Sequence, residues 1–420
     1  MDTACDMGAT RGQTTLKRFR LGTERAIDPA QTFERARGLM HQFGITRIAT
    51  TTHLDRIGIP VVAASRPNSR SLAVSQGKGL TLEAARASAL MESIECYHAE
   101  HILAPLVLAS HGELGREHVL ADVRGLPRVT SRSFHADRPL LWIAGVDLLS
   151  RRRIFVPYEL VHLDFRLPLP SASGAFLMSS NGLASGNQFS EAISHAICEL
   201  VERDANTLWH ISDCVTHDPA HRIDTGSIDD ENCRLALNRF EQADVAVAIW
   251  DTTTDIGIPS FLCTAVDRDS KMPLRIPPVS GSGCHPRRAI ALLRALTEAA
   301  QGRVTLISGA RDDLSPMAFC EPEVTARADR ELERILDVSQ TRRFSDVPDI
   351  VHDHFEADVD WELRRLTSAG LEQVIVVDLT KVDVGIPVVR VVIPYLEGMS
   401  EVPGFIPGPR ARHRASELAS

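Results

Sequence analysis

The sequence predicts an α/β (α+β) domain with internal pseudo-repeats, mostly antiparallel sheets backed by helices. A tight-turn motif, Ile/Val-Gly-Ile-Pro, occurs at Ile57–Pro60, Ile256–Pro259 and Val384–Pro387. An Ala-rich helical pattern with two acidic or amide residues three apart also occurs in three copies. At 420 residues, 44% hydrophobic and 24% charged, the composition excludes a largely disordered or fibrous chain.

Each turn motif has a Thr and then an Asp before it: Thr52 and Asp55, Thr252 and Asp255, Thr380 and Asp383. The later two copies follow helix-like stretches, Cys233–Gln242 and Trp361–Ser368, and then β-branched runs, Val245–Trp250 and Val374–Val377. Largely apolar runs follow the Pro in every copy: Val61–Ala64, Phe261–Val266 and Val388–Ile393. This reads as helix, strand, tight turn, strand. Arg124–Arg153 holds two short β-like runs and belongs to the same domain.

The repeated helix reads Ala85-x-x-x-Ala89-x-x-Glu92-x-x-Glu95, then Ala192-x-x-x-Ala196-x-x-Glu199-x-x-Glu202, then Ala291-x-x-x-Ala295-x-x-Glu298-x-x-Gln301. Residues at i, i+4 and i+7 share one helical face, so small residues let the helix approach a neighbour while the polar groups emerge further on. A Gly-rich approach precedes each helix: Gly77-Lys78-Gly79, Gly182 with Ser185-Gly186, and Gly281-Ser282-Gly283. The copies lie 107 and 99 residues apart (Glu92, Glu199, Glu298), too far for a short-period solenoid. One pseudo-symmetric domain is expected.

A single Glu-x-x-Glu pair is more often a solvated helix face. Here apolar neighbours such as Leu90, Met91, Ile94, Ile197, Leu200 and Val201 flank the pairs. Buried carboxylates are costly unless paired or bound to a cation. Glu92, Glu95, Glu199 and Glu202 would repel one another without positive charge between them, and Mg2+ is the natural counter-ion for oxygen ligands. Ser75-Gln76-Gly77-Lys78-Gly79 could cradle phosphate at a helix N-terminus, or be an ordinary loop. No P-loop pattern occurs in the chain. Arg203 and Arg303 read equally as phosphate clamps or surface charges.

The formal charge of −9 offers no basic stripe, which argues against nucleic acid as a partner. No apolar run approaches the roughly 20 residues of a membrane helix, and Met1–Thr15 lacks a signal peptide's apolar core. The eight Cys form no C-x-x-C pair, so a reducing cytoplasm is expected. Cys96 and Cys198 read as small buried residues rather than sulfur carriers. Val351-His352-Asp353-His354 reads as surface loop.

With these residues in view, the chain resembles the YcaO superfamily from about Lys17 to about Glu397. The resemblance lies in Ser75–Glu95, Asn181–Asp204, Gly281–Arg303 and Leu54–Pro60. The family pattern S-x-x-x-E-x-x-E is met by Ser88, Glu92 and Glu95, with Cys96 where some members carry Arg. E-x-x-E-R is met by Glu199, Glu202 and Arg203, and His195 stands where many members have Ser. The third helix supplies Glu298 and Gln301. The resemblance implies Mg2+ on Glu92, Glu95, Glu199 and Glu202. Around ATP it implies Lys17, Arg25, Ser75, Lys78, Ser88, Asn187, Arg203, Glu298, Gln301 and Arg303. No covalent catalytic residue is implied.

Leu54–Pro60, Gly22-Thr23-x-Arg25 and Pro394-x-Leu396-Glu397 resemble the branch that works with a TfuA-like partner. The ending Pro403–Arg410 lacks the Pro-x-Pro-x-Pro tail of many azoline formers. This implies ATP-dependent O-phosphorylation of a peptide or protein backbone amide, giving a thioamide with a sulfide or sulfur donor. Azoline-forming cyclodehydration on Cys, Ser or Thr is the alternative. An ATP-binding scaffold or peptide-recognition protein is a third reading, disfavoured by retention of all four Glu. Residues 1–16 are expected to be flexible, 17–400 to form the catalytic domain and 401–420 to form a C-terminal tail whose last dozen residues are loose. A homodimer is compatible with this reading.

Overall fold

The computed structural model describes residues 14–170, 173–216, 219–269, 276–309, 321–337 and 341–419. A first unit comprises helix α1 (Pro29–Arg37), the antiparallel strands β1 (Arg47–Thr50), β2 (Val61–Ser65) and β3 (Val74–Lys78), and helix α2 (Leu82–Glu100). There follow β4 (Leu106–Ala109), α3 (His111–Leu114), β5 (Arg128–Val129), β6 (Leu140–Asp147), β7 (Arg153–Pro157) and β8 (Leu183–Ser185), then α4 (Phe189–Thr216). A second unit repeats the first: α5 (Glu231–Gln242), β9 (Val245–Asp251), β10 (Ser260–Asp267), β11 (Val279–Cys284) and α6 (Arg288–Ser308). The chain ends with α7 (Glu321–Leu336), α8 (Phe355–Ser368), β12 (Ile375–Asp378), β13 (Val388–Val392), β14 (Phe405–Ile406) and α9 (Pro409–Ala419).

The three Gly-Ile-Pro motifs join β1 to β2, β9 to β10 and β12 to β13. Their glycines, Gly58, Gly257 and Gly385, have φ of +73°, +72° and +67°, a left-handed backbone that glycine adopts without a Cβ penalty. The preceding Thr closes each loop. Thr52 Oγ1 accepts the Val61 N–H at 3.1 Å, Thr380 Oγ1 accepts the Val388 N–H at 3.2 Å, and Thr252 Oγ1 donates to Ser260 Oγ at 3.1 Å. The residue after each Pro then faces a third strand: Val61 opposite Lys78, Ser260 opposite Cys284, and Val388 opposite Ser185.

The third unit is therefore permuted. Its first helix and hairpin, α8 with β12 and β13, come from the C-terminal part, while its third strand and second helix, β8 and α4, come from the middle. β4, β6 and β7 extend this unit's sheet to six strands. Each unit packs its two helices together: α1 with α2, α5 with α6, and α8 with α4. The apolar core divides accordingly. Trp142, Phe155 and Phe176 belong to one buried cluster, Phe240, Phe261 and Phe344 to another, and Ile197 and Val201 pack with Val389 and Val391 in a third.

The Gly-rich approaches prove to be packing surfaces. A Cβ on Gly77 would lie 2.0 Å from Ala89 N and 2.2 Å from Ala85 O, and one on Gly281 would lie 2.2 Å from Ala299 N. Gly on the strand and Ala on the helix thus bring the two backbones into contact. Gly77 lies within β3 rather than in a loop cradle, which corrects that reading of Ser75–Gly79.

The C-terminal segment also departs from expectation. Instead of a loose tail, α9 docks on α4. Arg410 pairs with Asp204 at 3.0 Å and with Asp255 at 2.6 Å, and the Glu397 carboxylate accepts the Gly408 and Ala411 N–H groups. Residues 1–13 of the expected flexible N-terminus lie outside the described residues. Thr15 is held by its N–H to Glu356 Oε2 at 2.9 Å, and Leu16 bridges to His354. Among the described residues, no helix is long and apolar enough to cross a membrane.

Candidate active site

The second helices of the three units, α2, α4 and α6, bring their polar residues together at one site, and each reaches the third strand of the next unit: α2 to β8, α4 to β11, α6 to β3. The last polar residue of each repeat makes that junction. Glu95 Oε1 accepts the Ser185 N–H and hydroxyl at 2.8 and 2.6 Å. Glu202 accepts the Cys284 N–H at 3.0 Å and the Ser282 hydroxyl at 2.9 Å. Gln301 Nε2 donates to the Gln76 carbonyl at 2.7 Å. The contacts close a ring.

Helical spacing arranges the site in three levels. Ser88, His195 and Arg294 form the first, Glu92, Glu199 and Glu298 the second, and Glu95, Glu202 and Gln301 the third. Charge is therefore graded along the site, with the acids concentrated below the first level.

Burial pushes the Glu95 carboxyl up to about 8. The Ser185 bonds oppose this, while the nearby charges of Glu92 and Glu199 add to it. Burial likewise raises Glu199 to about 7, with Glu202 adding to the rise and Arg203 opposing it. A divalent cation among Glu92, Glu95, Glu199 and Glu202 would offset both the desolvation penalty and the repulsion, and oxygen-only donors are the kind that Mg2+ takes; among the described residues, the ligand atoms that already lie within 4.8 Å of one another are those of Glu24, His285 and Asp358. Glu298 behaves differently. Burial would raise it, but Lys78, Arg203 and Arg294 hold it below the usual carboxylate range, and the Lys78 ammonium bonds its Oε2.

The cationic side also has open capacity. Burial disfavours the Arg203 charge, but Glu202, Glu298 and Glu199 outweigh it and raise its pKa. Its Nε is buried without a hydrogen-bond partner. Arg25 stands 3.6 Å from Glu191, which in turn accepts the Asn187 N–H at 3.1 Å, while Thr32 donates to the Asn187 side-chain oxygen. Acidic and basic groups thus share one cluster.

Not every residue expected around ATP faces this cluster with free groups. Lys17 is buried behind it, its ammonium 2.5 Å from both Glu24 and Asp358. Arg303, 1% exposed, is closed between Asp55 at 2.9 Å and Asp267 at 3.0 Å. Ser75 is buried within β3, opposite Ala64. Lys17, Arg303 and Gln301 instead tie separate segments of the chain together: burial has supplied protein partners where ligand contacts were expected. His352, read as surface loop, bonds the buried Asp358 at 2.9 Å. The thiols of Cys96 and Cys198 are pushed up, by burial at Cys96 and by the adjacent Cys284 thiol and burial at Cys198, so both stay protonated.

Sequence reading missed three charged groups. Arg294 could have been found, since it aligns with Ser88 and His195 in the repeats. Glu191 occupies the first turn of α4, a weak signal. Arg390 gives none: it lies in an apolar strand, fully buried, donating to the carbonyls of Asn181, Ser179 and Val161. Burial lowers its pKa to about 10, against the pull of Glu199.

Fold and site together bring paired carboxylates and guanidinium groups into one charged cluster, in a chain without a P-loop. The family model described as YcaO cyclodehydratase, ATP- and Mg2+-binding, matches residues 76–397, and the chain belongs to this YcaO family. A protein from Rhizobium leguminosarum bv. trifolii, named an uncharacterized protein in the tfuA 3' region, is 38% identical over 89% of both chains. An uncharacterized protein of Methanothermobacter thermautotrophicus is 35% identical over 90% of this chain and 96% of its own. Among solved structures, YcaO from Methanopyrus kandleri bound with AMPPCP and Mg2+ matches with a TM-score of 0.68 at 24% identity, over 90% of this chain and 94% of that one. A heterocyclase in complex with substrate and cofactor matches with a TM-score of 0.75 at 23% identity and 91% coverage of this chain, which spans about half (54%) of the heterocyclase. Both structures share the fold.

Proposed function

We propose that this chain uses ATP to O-phosphorylate a peptide backbone amide; sulfide from a donor then adds to the amide carbon, the C–O bond breaks, phosphate leaves with the former amide oxygen, and a thioamide forms with a TfuA-like partner. The observation that carries the reading is the charged cluster itself. Four mutually repelling carboxylates on α2 and α4 face Arg203 and Arg25, which fits a metal-bound polyphosphate. The tfuA-region relative supports the thioamide outcome.

Glu92, Glu95, Glu199 and Glu202 would hold Mg2+, which when bound neutralises polyphosphate charge and favours phosphoryl transfer. Ser185 and Cys284 fix Glu95 and Glu202 through backbone N–H groups, so these carboxylates need little reorganisation. Arg203, with its buried unpartnered Nε, would face the transferred phosphoryl group. An amide oxygen is a weak nucleophile, so positioning and charge neutralisation are the protein's main contributions.

The test is ATP turnover by the purified chain with peptide, partner and sulfide, followed by product mass. Exchange of oxygen for sulfur makes the peptide heavier. The second reading, azoline formation, is favoured by the family's description as cyclodehydratase; it would make the peptide lighter by one water, without partner or sulfide.

A further inference from the structure

His195 lies on α4 one turn before Glu199, and Arg294 lies on α6 one turn before Glu298. Across the site, Arg294 Nη2 stands 2.9 Å from His195 Nε2. A guanidinium offers only donors and keeps its charge, so the imidazole nitrogen facing it must present a lone pair. The single ring proton then sits on Nδ1. An imidazolium would place N–H against N–H and charge against charge. The other groups around the ring reinforce this: burial, Arg294, Arg25, His285 and Lys78 all push its pKa well below the ordinary histidine value.

The contact also fixes Arg294. Its Nη1 donates to the Cys284 carbonyl at 3.2 Å, while the Cys284 N–H donates to Glu202. The guanidinium is thereby held at two points, one on α4 and one on β11, with its charge directed among Glu202 and Glu298. We infer that His195 is a neutral Nδ1–H imidazole whose Nε2 lone pair orients the Arg294 guanidinium, which makes His195 a positioning residue for the cationic edge that receives the nucleotide's phosphates. The kinetic consequence rests on the ATP reading; the tautomer does not.

Two measurements on the full chain test this separately. In 15N-histidine NMR between about pH 5.5 and 8.5, the His195 signals, identified by their loss in His195→Gln, should keep the neutral Nδ1–H pattern throughout, alongside those of His98, whose Nδ1 faces the Ile94 carbonyl. An Nε2–H tautomer or an imidazolium at neutral pH overturns the assignment. In steady-state ATP turnover, His195→Ala should raise the KM for ATP on the order of tenfold, with kcat changed less than about threefold. His195→Gln, whose Oε1 can accept from Arg294, should restore most of the KM. An unchanged KM in His195→Ala, or an equal loss in His195→Gln, overturns the positioning role. Failure of the wild-type chain to bind ATP would reject the nucleotide reading instead, and the NMR result would still decide the tautomer.

Discussion

Gln301 donates its side-chain amide to the backbone carbonyl of Gln76 at 2.7 Å, at the junction equivalent to those where Glu95 and Glu202 accept from backbone N–H groups. The choice of amide over acid is set by the backbone group that it meets. Gln301→Glu would place an ionised carboxylate against a carbonyl oxygen. We expect this isosteric change to destabilise the fold by about 1–3 kcal/mol in urea unfolding, and an unchanged midpoint would contradict the junction.

Removing charge from the acidic levels should stop turnover without unfolding the chain. Glu199→Gln and Glu202→Gln keep the shape and one acceptor oxygen each, with Glu202→Gln retaining one oxygen for the Cys284 N–H, but weaken the cation site, so ATP hydrolysis should fall about a hundredfold or more. The exposed Glu241→Gln should match wild type. Normal turnover in both site variants would return the acidic faces to mere solvated surface.

The raised carboxyls set a pH dependence with a definite sign. Glu95, at about 8, and Glu199, at about 7, bind protons in the folded chain that they lose in the unfolded chain above about pH 4.5. Their contribution to stability is full below that unfolded value and is lost as pH rises through 7 to 8. Without metal, Tm should fall between pH 5 and 8, and Mg2+ should raise it more at pH 8 than at pH 5.5. A Mg2+ effect independent of pH in thermal melts would mean that the ion binds elsewhere.

ATP affinity should depend on the same cation. Four carboxylates facing a bare triphosphate are repulsive, so calorimetric binding should be lost in EDTA and return with Mg2+. Equal affinity in the two conditions would rule out a metal bridge.

Arg410 is the cation between Asp204, fully buried one residue beyond Arg203, and Asp255 in the second turn motif. Arg410→Ala leaves Asp204 without its charged partner. The expected cost is about 3 kcal/mol in denaturant unfolding, far more than an exposed pair would give.

Much of the fold was legible because turns and packing leave local marks. Gly-Ile-Pro marked the hairpins, since a left-handed glycine has few substitutes, and Ala at i and i+4 marked helices lying on a Gly-bearing strand. The assignment of strand to unit was not legible. Nothing near Ser185 shows that its partner strand lies some two hundred residues later, because pairing is a property of the sheet rather than of local sequence. The acidic half of the site was visible in the Glu spacing. The basic half was blurred because Arg203, Arg294, Arg303 and Arg390 look alike in sequence, and only their distant neighbours separate the site from the interior ion pairs.

The permuted third unit also fixes when during synthesis the site can exist. A ribosome has delivered all three acidic helices once residue 308 has emerged, yet β8, whose Ser185 holds Glu95, must wait for Val388–Val392 before it has a neighbouring strand. The nascent chain therefore carries its acids well before it can arrange them. The site matures only once β13 has emerged, so chains halted before β13 would possess every acidic residue of the site and still be unable to assemble it.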